Sequence, residues 1–421
     1  MGDPLTAREA LRTLEFMIPE ARPDIDCVSH DTTLPLPEQL THFPWDLIVL
    51  GPSFLCARYD KALLAKVVRD FEWVRDSNAC KVALPQDDYD CSAVLDNWMT
   101  DWSVDYIYTV CPDNWEVLYP KSSRSAEIRL GYTGYISDAW LKTWENPKPI
   151  DERPIDVSYR ARKLPANFGR IGQLKSDIAQ NFLDSFPEDS NRDLDISTDP
   201  RATIPGVAWH LFLEDSKFCL VAPSGSSILD PWNKIRGCVR NFTALHPNAT
   251  FGAIEKHCFP GIDGAHVFTA ISPRNIEAAL AQTVQIAVVD SYSGLMEPYE
   301  HYIPLDPKCS NIDEVLAAMD DRGLVERLRN QAKEAILSAD RLRTKAIVNE
   351  IVSLAGMSPT RVVGAGSPRK DFERIKNVHD EKVMSISEDF WKYQRRRARV
   401  RGVLVIFGAR RVRDVMRIFT G

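Results

Sequence analysis

The chain has 421 residues, of which 44% are hydrophobic and 26% charged, and its formal net charge is −7. That balance belongs to folded soluble domains of roughly 100–200 residues each and excludes disordered and fibrous classes. No apolar run reaches the ~18–20 residues of a spanning helix, and Met1-Gly2-Asp3-Pro4 lacks the basic-then-apolar layout of a secretion signal, so a cytoplasmic protein is expected.

Helical spacing covers residues 5–18, and strand-like apolar runs then recur at Ile25–Val28, Asp46–Leu50, Lys81–Leu84 and Val104–Val110. Helical patterns at Lys61–Val74 and Cys91–Trp102 separate them, an alternation that predicts parallel α/β layering. Tryptophans and tyrosines are frequent from Trp73 to Trp144; most are expected in the core and some stacked against a bound ring. The proline-rich, polar stretch Asn146–Pro154 reads as a linker between domains. A second alternation follows, with strands near Ile155–Tyr159, Leu194–Ile196, Phe218–Val221, Val284–Val289 and His301–Leu305, and helices from Asp313 to Ala355. The expected organisation is α/β, with two Rossmann-like domains over 1–150 and 155–355 facing a cleft, and a linker with C-terminal helices over 356–421.

The last of these segments is distinctive in charge. Residues 391–421 hold ten Lys or Arg against the single acid Asp414, a charge of +9, which leaves −16 on residues 1–390. Apolar Val412, Val415, Met416 and Phe419 share one helical face, with arginines largely on the other. Such a helix suits either an anionic membrane surface or the protein's own acidic body. Basic charge confined to one tail argues against a nucleic-acid partner. The nine cysteines form no CxxC pair and the eight histidines no HxxxH pattern, so free thiols and no metal site are expected.

Strand ends in parallel sheets gather ligands, which singles out the side chains placed there. After Ile155–Tyr159 come Arg160, Arg162 and Lys163, then a turn with Gly169 and Gly172 and a helix carrying Lys175. A glycine turn opening a helix offers free N–H groups and the helix dipole to an anion, and the basic side chains suit a diphosphate; a charged surface turn is the plain alternative. Ser224-Gly225-Ser226 after Phe218–Val221 reads as a second turn able to approach phosphate or sugar, or as an ordinary βα loop. Ser272 is an expected N-cap with Pro273 at the first helical position, which places Arg274 and Glu277 in the first turns of a helix. Glu277 is suited to accept ribose hydroxyls, and the turn Tyr292-Ser293-Gly294 to hold phosphates of the same nucleotide; a capped surface helix with a solvated Glu is the plain alternative. There is neither a GxGxxG nor a Walker lysine motif.

The run Ser272-Pro273-Arg274 with Glu277-Ala278-Ala279, a strand, Tyr292-Ser293-Gly294-Leu295 and His301-Tyr302-Ile303-Pro304-Leu305 resembles the donor domain of GT-B glycosyltransferases. The likeness covers about 155–355 and is nearest to the bacterial group 1-like branch that includes spore-coat-type transferases. It implies a nucleotide-sugar donor as co-substrate, with no cofactor. Glu277 would bind the donor ribose, and Arg160 and Lys175 its diphosphate. The implied acceptor is a hydroxyl on a saccharide or lipid-linked glycan, in polysaccharide biosynthesis at the inner membrane face. Many relatives carry another Glu eight positions before the helix acid, where this chain has Thr269. The amino-terminal half opens on a helix instead of a strand.

Transfer of this type needs no bound metal when dipoles and basic groups stabilise the leaving diphosphate. An inverting enzyme also needs a base. Asp87 and Asp88, after Lys81–Leu84, are the first candidates, and His30 with Asp31 the second. The rival readings are a metal-binding Asp88-Tyr89-Asp90 triplet, a solvated loop, and a non-catalytic protein that binds nucleotide or glycan through the same cleft.

Overall fold

The computed structural model describes residues 9–30, 32, 36–356, 373 and 376. Two compact units are present: Met1–Ile25 with Pro44–Ser358, and Asp26–Phe43 with Pro359–Gly421. The basic tail, the loop after Gly356 and Asp31 lie outside the described residues. The strand expected at Ile25–Val28, where the two units meet in sequence, does not form. Asp26 interrupts that short apolar run, and among the described residues no strand pairs with it. His30 therefore does not stand at a strand end.

Both sheets belong to the larger unit and both are wholly parallel. The first contains β1 (Leu47–Leu50), β2 (Cys80–Ala83), β3 (Tyr106–Thr109) and β4 (Glu127–Leu130) in the order β1-β2-β3-β4. β4 was not expected; its signal is the alternation of Glu127 and Arg129 with Ile128 and Leu130, the pattern of a half-covered edge strand. The second sheet has the order β11-β10-β7-β5-β6. Its strands are β5 (Ile155–Arg160), β6 (Leu194–Ser197), β7 (Ser216–Val221), β10 (Val284–Val288) and β11 (Ile303–Leu305). Every residue of β10 is buried, as a strand covered by helices on both faces requires. Between β7 and β10 in chain order stands a separate two-stranded ribbon, β8 (Ser224–Ser226) antiparallel to β9 (Phe268–Ala270). The expected α/β architecture of two Rossmann-like sheets is thus present.

The helices used below are α1 (Glu9–Ala21), α2 (Lys61–Asp70), α3 (Ser92–Asp101), α4 (Gly169–Ser185), α5 (Val207–Glu214), α6 (Lys234–Leu245), α7 (Phe251–Cys258), α8 (Pro273–Leu280), α9 (Ile312–Asp320), α10 (Arg322–Ser338) and α11 (Thr344–Leu354). Three of them, α5 to α7, went unrecognised in the sequence. α11 crosses back onto the first half: its Ile347, Val348 and Ile351 share a core with Leu14 and Met17 of α1 and with Tyr108, Tyr135 and Trp140. Glu350 fixes that return by accepting from Tyr108 Oη at 2.8 Å and pairing with Arg129 at 2.7 Å. Tyr108, Tyr135, Trp140 and Trp144 of the aromatic run belong to this core, and Trp102 and Tyr119 are fully buried elsewhere.

Cys238 on α6 and Cys258 on α7 form a disulfide with Cα atoms 5.5 Å apart. This corrects the expectation of nine free thiols; the other seven are free. Their spacing of 20 residues carries no motif, and only the pairing of two helices brings them together.

The proline-rich connection is anchored by Arg153, which is 2% exposed. Its guanidinium donates to the carbonyls of Lys148, Ser216 and Ala281 and to Thr283 Oγ1, at 2.7–3.0 Å. Burial pulls its pKa down to about 10. Arg153→Met leaves those acceptors buried without a donor, each at ~1–3 kcal/mol before relaxation. The expected loss is about 3–5 kcal/mol, read as a lower urea midpoint at unchanged slope; a loss below about 1 kcal/mol would show that the linker is held by other contacts.

Candidate functional site

The loop after β2 is built around one buried cation. Arg58, 3% exposed, donates to the carbonyls of Leu55, Gln86, Asp87 and Asp90 and to Tyr59 Oη. Asp87 takes a left-handed conformation at φ 52° and accepts from Tyr89 Oη at 2.7 Å while remaining exposed. Asp88 points the other way. It is fully buried, and its Oδ2 accepts from Thr109 Oγ1 at 2.5 Å and Tyr119 Oη at 2.6 Å. Burial raises its pKa against those hydrogen bonds. The adjacent pair thus has one solvent-facing carboxylate and one internal one.

The same loop docks onto the second half. Asp230 N donates to Tyr89 O at 3.0 Å and Cys91 N to Asp230 O at 2.8 Å, while the Asp230 carboxylate caps α6 by accepting from Lys234 N and Arg236 N, each at 2.9 Å. Asp90 pairs with Arg236 at 2.6 Å. Among the described residues no three His, Cys, Asp or Glu side chains gather in an arrangement able to hold a metal ion, the Asp88–Asp90 triplet included.

On the second half, the turn after β5 does not present free N–H groups. Asp263, whose side chain is 1% exposed, accepts from Arg170 N at 3.2 Å and from Ser227 Oγ at 2.5 Å, and the Arg170 guanidinium lies 3.3 Å away. The chain's own carboxylate therefore caps α4. Gly169, at φ 64°, is required because a Cβ would collide with Ser227 Oγ and Asp263. Gly172 packs against Phe168. Arg160 faces inward: its guanidinium donates to Ala202 O, Tyr159 O and Asp195 O, pairs with Asp195 Oδ1 at 2.6 Å, and lies over the Phe212 ring. Arg162 and Lys163 are exposed, and Lys175 Nζ donates to Ser224 Oγ at 3.2 Å.

Ser224-Gly225-Ser226 is a strand and not the expected turn. Gly225 lies so close to β9 that a Cβ would strike Phe268 O, so the small residue serves strand pairing. Ser226 is 1% exposed and bonds to Phe168 O and Ile228. Beside this ribbon, Thr269 Oγ1 donates to Asp290 Oδ1 at 2.9 Å. Asp290 follows β10; its Oδ2 is buried without a hydrogen-bond partner among the described residues, and burial raises its pKa. The next turn runs left-handed at Tyr292, Ser293 and Gly294, at φ 43°, 57° and 73°. Tyr292 is buried with Oη on Val288 O, and Ser293 Oγ accepts from Ile271 N at 3.1 Å.

The head of α8 is the best-defined cluster. Asn275 Oδ1 accepts from Ser272 N and Oγ, which fixes the helix start as predicted. Glu277, 7% exposed, accepts from Trp209 Nε1 at 2.7 Å. The Arg274 guanidinium lies 5.3 Å from the ring centres of both Tyr159 and Trp209 and donates to Arg160 O. Sequence reasoning missed Trp209, Asp263 and Asp290. Trp209 sits in an unrecognised helix, and the two acids have no local motif. A separate cavity of about 470 Å³ between α2 and α3, with Trp232 at its edge, contains none of the candidates.

No family model and no curated protein matches the sequence. Among solved structures the chain is similar to TarM, at 12% identity and TM-score 0.42 over 69% of this chain and 53% of that one. It is also similar to an alpha-glucosyltransferase in complex with UDP-glucose and DNA containing an abasic site, at 10% identity and TM-score 0.41 over 70% and 78%. A third is a glycosyltransferase from Rickettsia africae ESF-5, at 10% identity and TM-score 0.35 over 72% and 81%. The chain spans about half the length of TarM. This chain's own strand pairing establishes two parallel, Rossmann-like sheets of four and five strands.

Asp90 yields a pH prediction. Burial outweighs Arg236 and pushes its pKa from 3.8 up to about 6. The folded state thus holds the proton more tightly than the unfolded one, so this contribution is complete below pH ~4 and is lost as pH rises through 6, to a total of roughly 2–3 kcal/mol. Raised values at Asp88 and Asp290 act in the same direction. The melting temperature is expected to fall between pH 5 and pH 7.5, and to fall less in Asp90→Asn. An equal slope in the variant would remove Asp90 as the cause.

Proposed function

We propose that this protein transfers a sugar from a nucleotide-sugar donor to a hydroxyl of a saccharide or lipid-linked acceptor, without a resident metal. The observation that carries the reading is Glu277: an almost buried carboxylate in the first turns of α8, oriented by an indole N–H and flanked by a guanidinium held between two rings. A carboxylate fixed in that way suits the paired hydroxyls of a ribose. The diphosphate is then assigned to the side chains of Lys175, Arg162 and Lys163. Arg160, occupied by Asp195 and nearby carbonyls, supports Arg274 from behind. Asp263 already neutralises the head of α4, so the Gly169 turn itself receives no phosphate in this assignment.

In the reaction the acceptor oxygen bonds to the anomeric carbon, the bond from that carbon to the diphosphate oxygen breaks, and the acceptor proton passes to a base. Asp87 is the base assigned here, because it is exposed on the loop that joins the two halves whereas Asp88 is internal. Asp88 holds that loop through Thr109 and Tyr119. The basic tail would bring the protein to an anionic membrane when the acceptor is lipid-linked. A non-catalytic nucleotide- or glycan-binding protein is the second reading, favoured by the capping of α4 by Asp263, which removes one anion site from the cleft.

A thermal-shift screen against UDP, GDP, CMP, dTDP and ADP tests the proposal. A ligand at 100 times its Kd adds ~2.7 kcal/mol. One nucleotide is expected to raise the melting temperature, with the shift reduced in both Glu277→Gln and Lys175→Met. Hydrolysis of the matching nucleotide-glucose, reduced at least about tenfold in Asp87→Asn, separates the enzyme from the binding protein; binding without hydrolysis or transfer leaves the second reading, and no shift with any nucleotide rejects both nucleotide readings.

A further inference from the structure

Resting on the nucleotide reading of the α8 cluster, we infer that Trp209 is the positioning residue that gives Glu277 its selectivity for ribose over deoxyribose. Trp209 Nε1 donates to Glu277 Oε2 at 2.7 Å, and Glu277 is only 7% exposed, so this hydrogen bond sets the plane of a nearly dry carboxylate. The indole is itself held in place. Its ring centre lies 5.7 Å from that of Phe212 and 5.3 Å from the Arg274 guanidinium, which also lies over Tyr159. Residues from β5, α5 and α8 thereby lock one another.

The helix that carries Trp209 follows Gly206 at φ 60°, and its outer Val207 and Leu211 are 72% and 55% exposed. On its inner side His210 packs on Trp144 and Trp140, and the Trp209–Glu277 hydrogen bond adds a polar tie between α5 and α8. Two vicinal hydroxyls require two carboxylate lone pairs in a fixed plane. Removing the indole N–H takes a donor from Oε2 and so relaxes the plane in which the second hydroxyl meets its acceptor.

Calorimetric titration of the full chain with UDP, GDP and ADP, and with the 2′-deoxy form of whichever binds, tests this. A hydrogen bond to a charged group is worth ~1.5–3 kcal/mol, so wild-type protein should prefer the ribonucleotide by about tenfold or more. Trp209→Phe keeps a ring but removes the donor. It should cut the preference below about threefold while changing the deoxynucleotide Kd less than about twofold. Glu277→Gln should do the same, and the double variant no more than either alone. A merely structural loss would weaken both nucleotides equally and leave the ratio unchanged, which would overturn the inference. The indole N–H resonance of Trp209, followed in unmutated protein during the titration, is independent of whether the variant folds: movement on ribonucleotide addition and not with the deoxy form supports the inference, and no movement with either rejects it. Failure of every nucleotide to bind wild-type protein would instead remove the nucleotide reading, and this inference with it.

Discussion

The arrangement depends on a single buried guanidinium. Arg58 gathers the carbonyls of Gln86, Asp87 and Asp90, and so gives the loop after β2 a shape that no regular secondary structure would supply. An arginine suits this because its planar fork offers five donors and stays charged when buried. With the loop fixed, Asp87 is turned outward, Asp88 inward, and the backbone from Tyr89 to Cys91 meets Asp230 of the other half. Asp230 completes the joint, capping α6 with its carboxylate while its backbone pairs across.

Charge within the second half is organised on the same principle, with acids placed where backbone or side-chain donors would otherwise be unpaired. Asp263 occupies the head of α4, where a free helix N-terminus would attract an anion, and so directs anion binding elsewhere. Asp195 holds Arg160, which in turn offers its carbonyl to Arg274. Glu277, in the same half, accepts from an indole donor, Trp209 Nε1.

The parallel strands were legible because their apolar runs are continuous and separated by helical periodicity; β1, β2, β3, β5, β6, β7, β10 and β11 fall where those runs predict them. The start of α8 was legible from Ser272 and Pro273, which act on their own backbone. β4 was obscured by its alternating polar residues, and the serine-glycine segment was taken for a turn because the strand it pairs with lies more than forty residues later. The cysteine pair was hidden for a similar reason: each cysteine lies in its own helix, and a spacing of 20 encodes nothing locally.

By itself the sequence determined the layered α/β class, the positions of most strands, the start of α8 and the presence of acids and bases near strand ends. Those properties follow from periodicity and from interactions a few residues apart. Tertiary structure alone decided which of those side chains remain available. Arg160 and Arg162 are two residues apart, yet one is turned to Asp195 and the other is exposed. Asp87 and Asp88 are neighbours, yet one faces solvent and the other Thr109 and Tyr119. Composition fixes the number of charges, but the partner that each one meets comes from distant segments, and that partner determines whether the charge can serve a ligand.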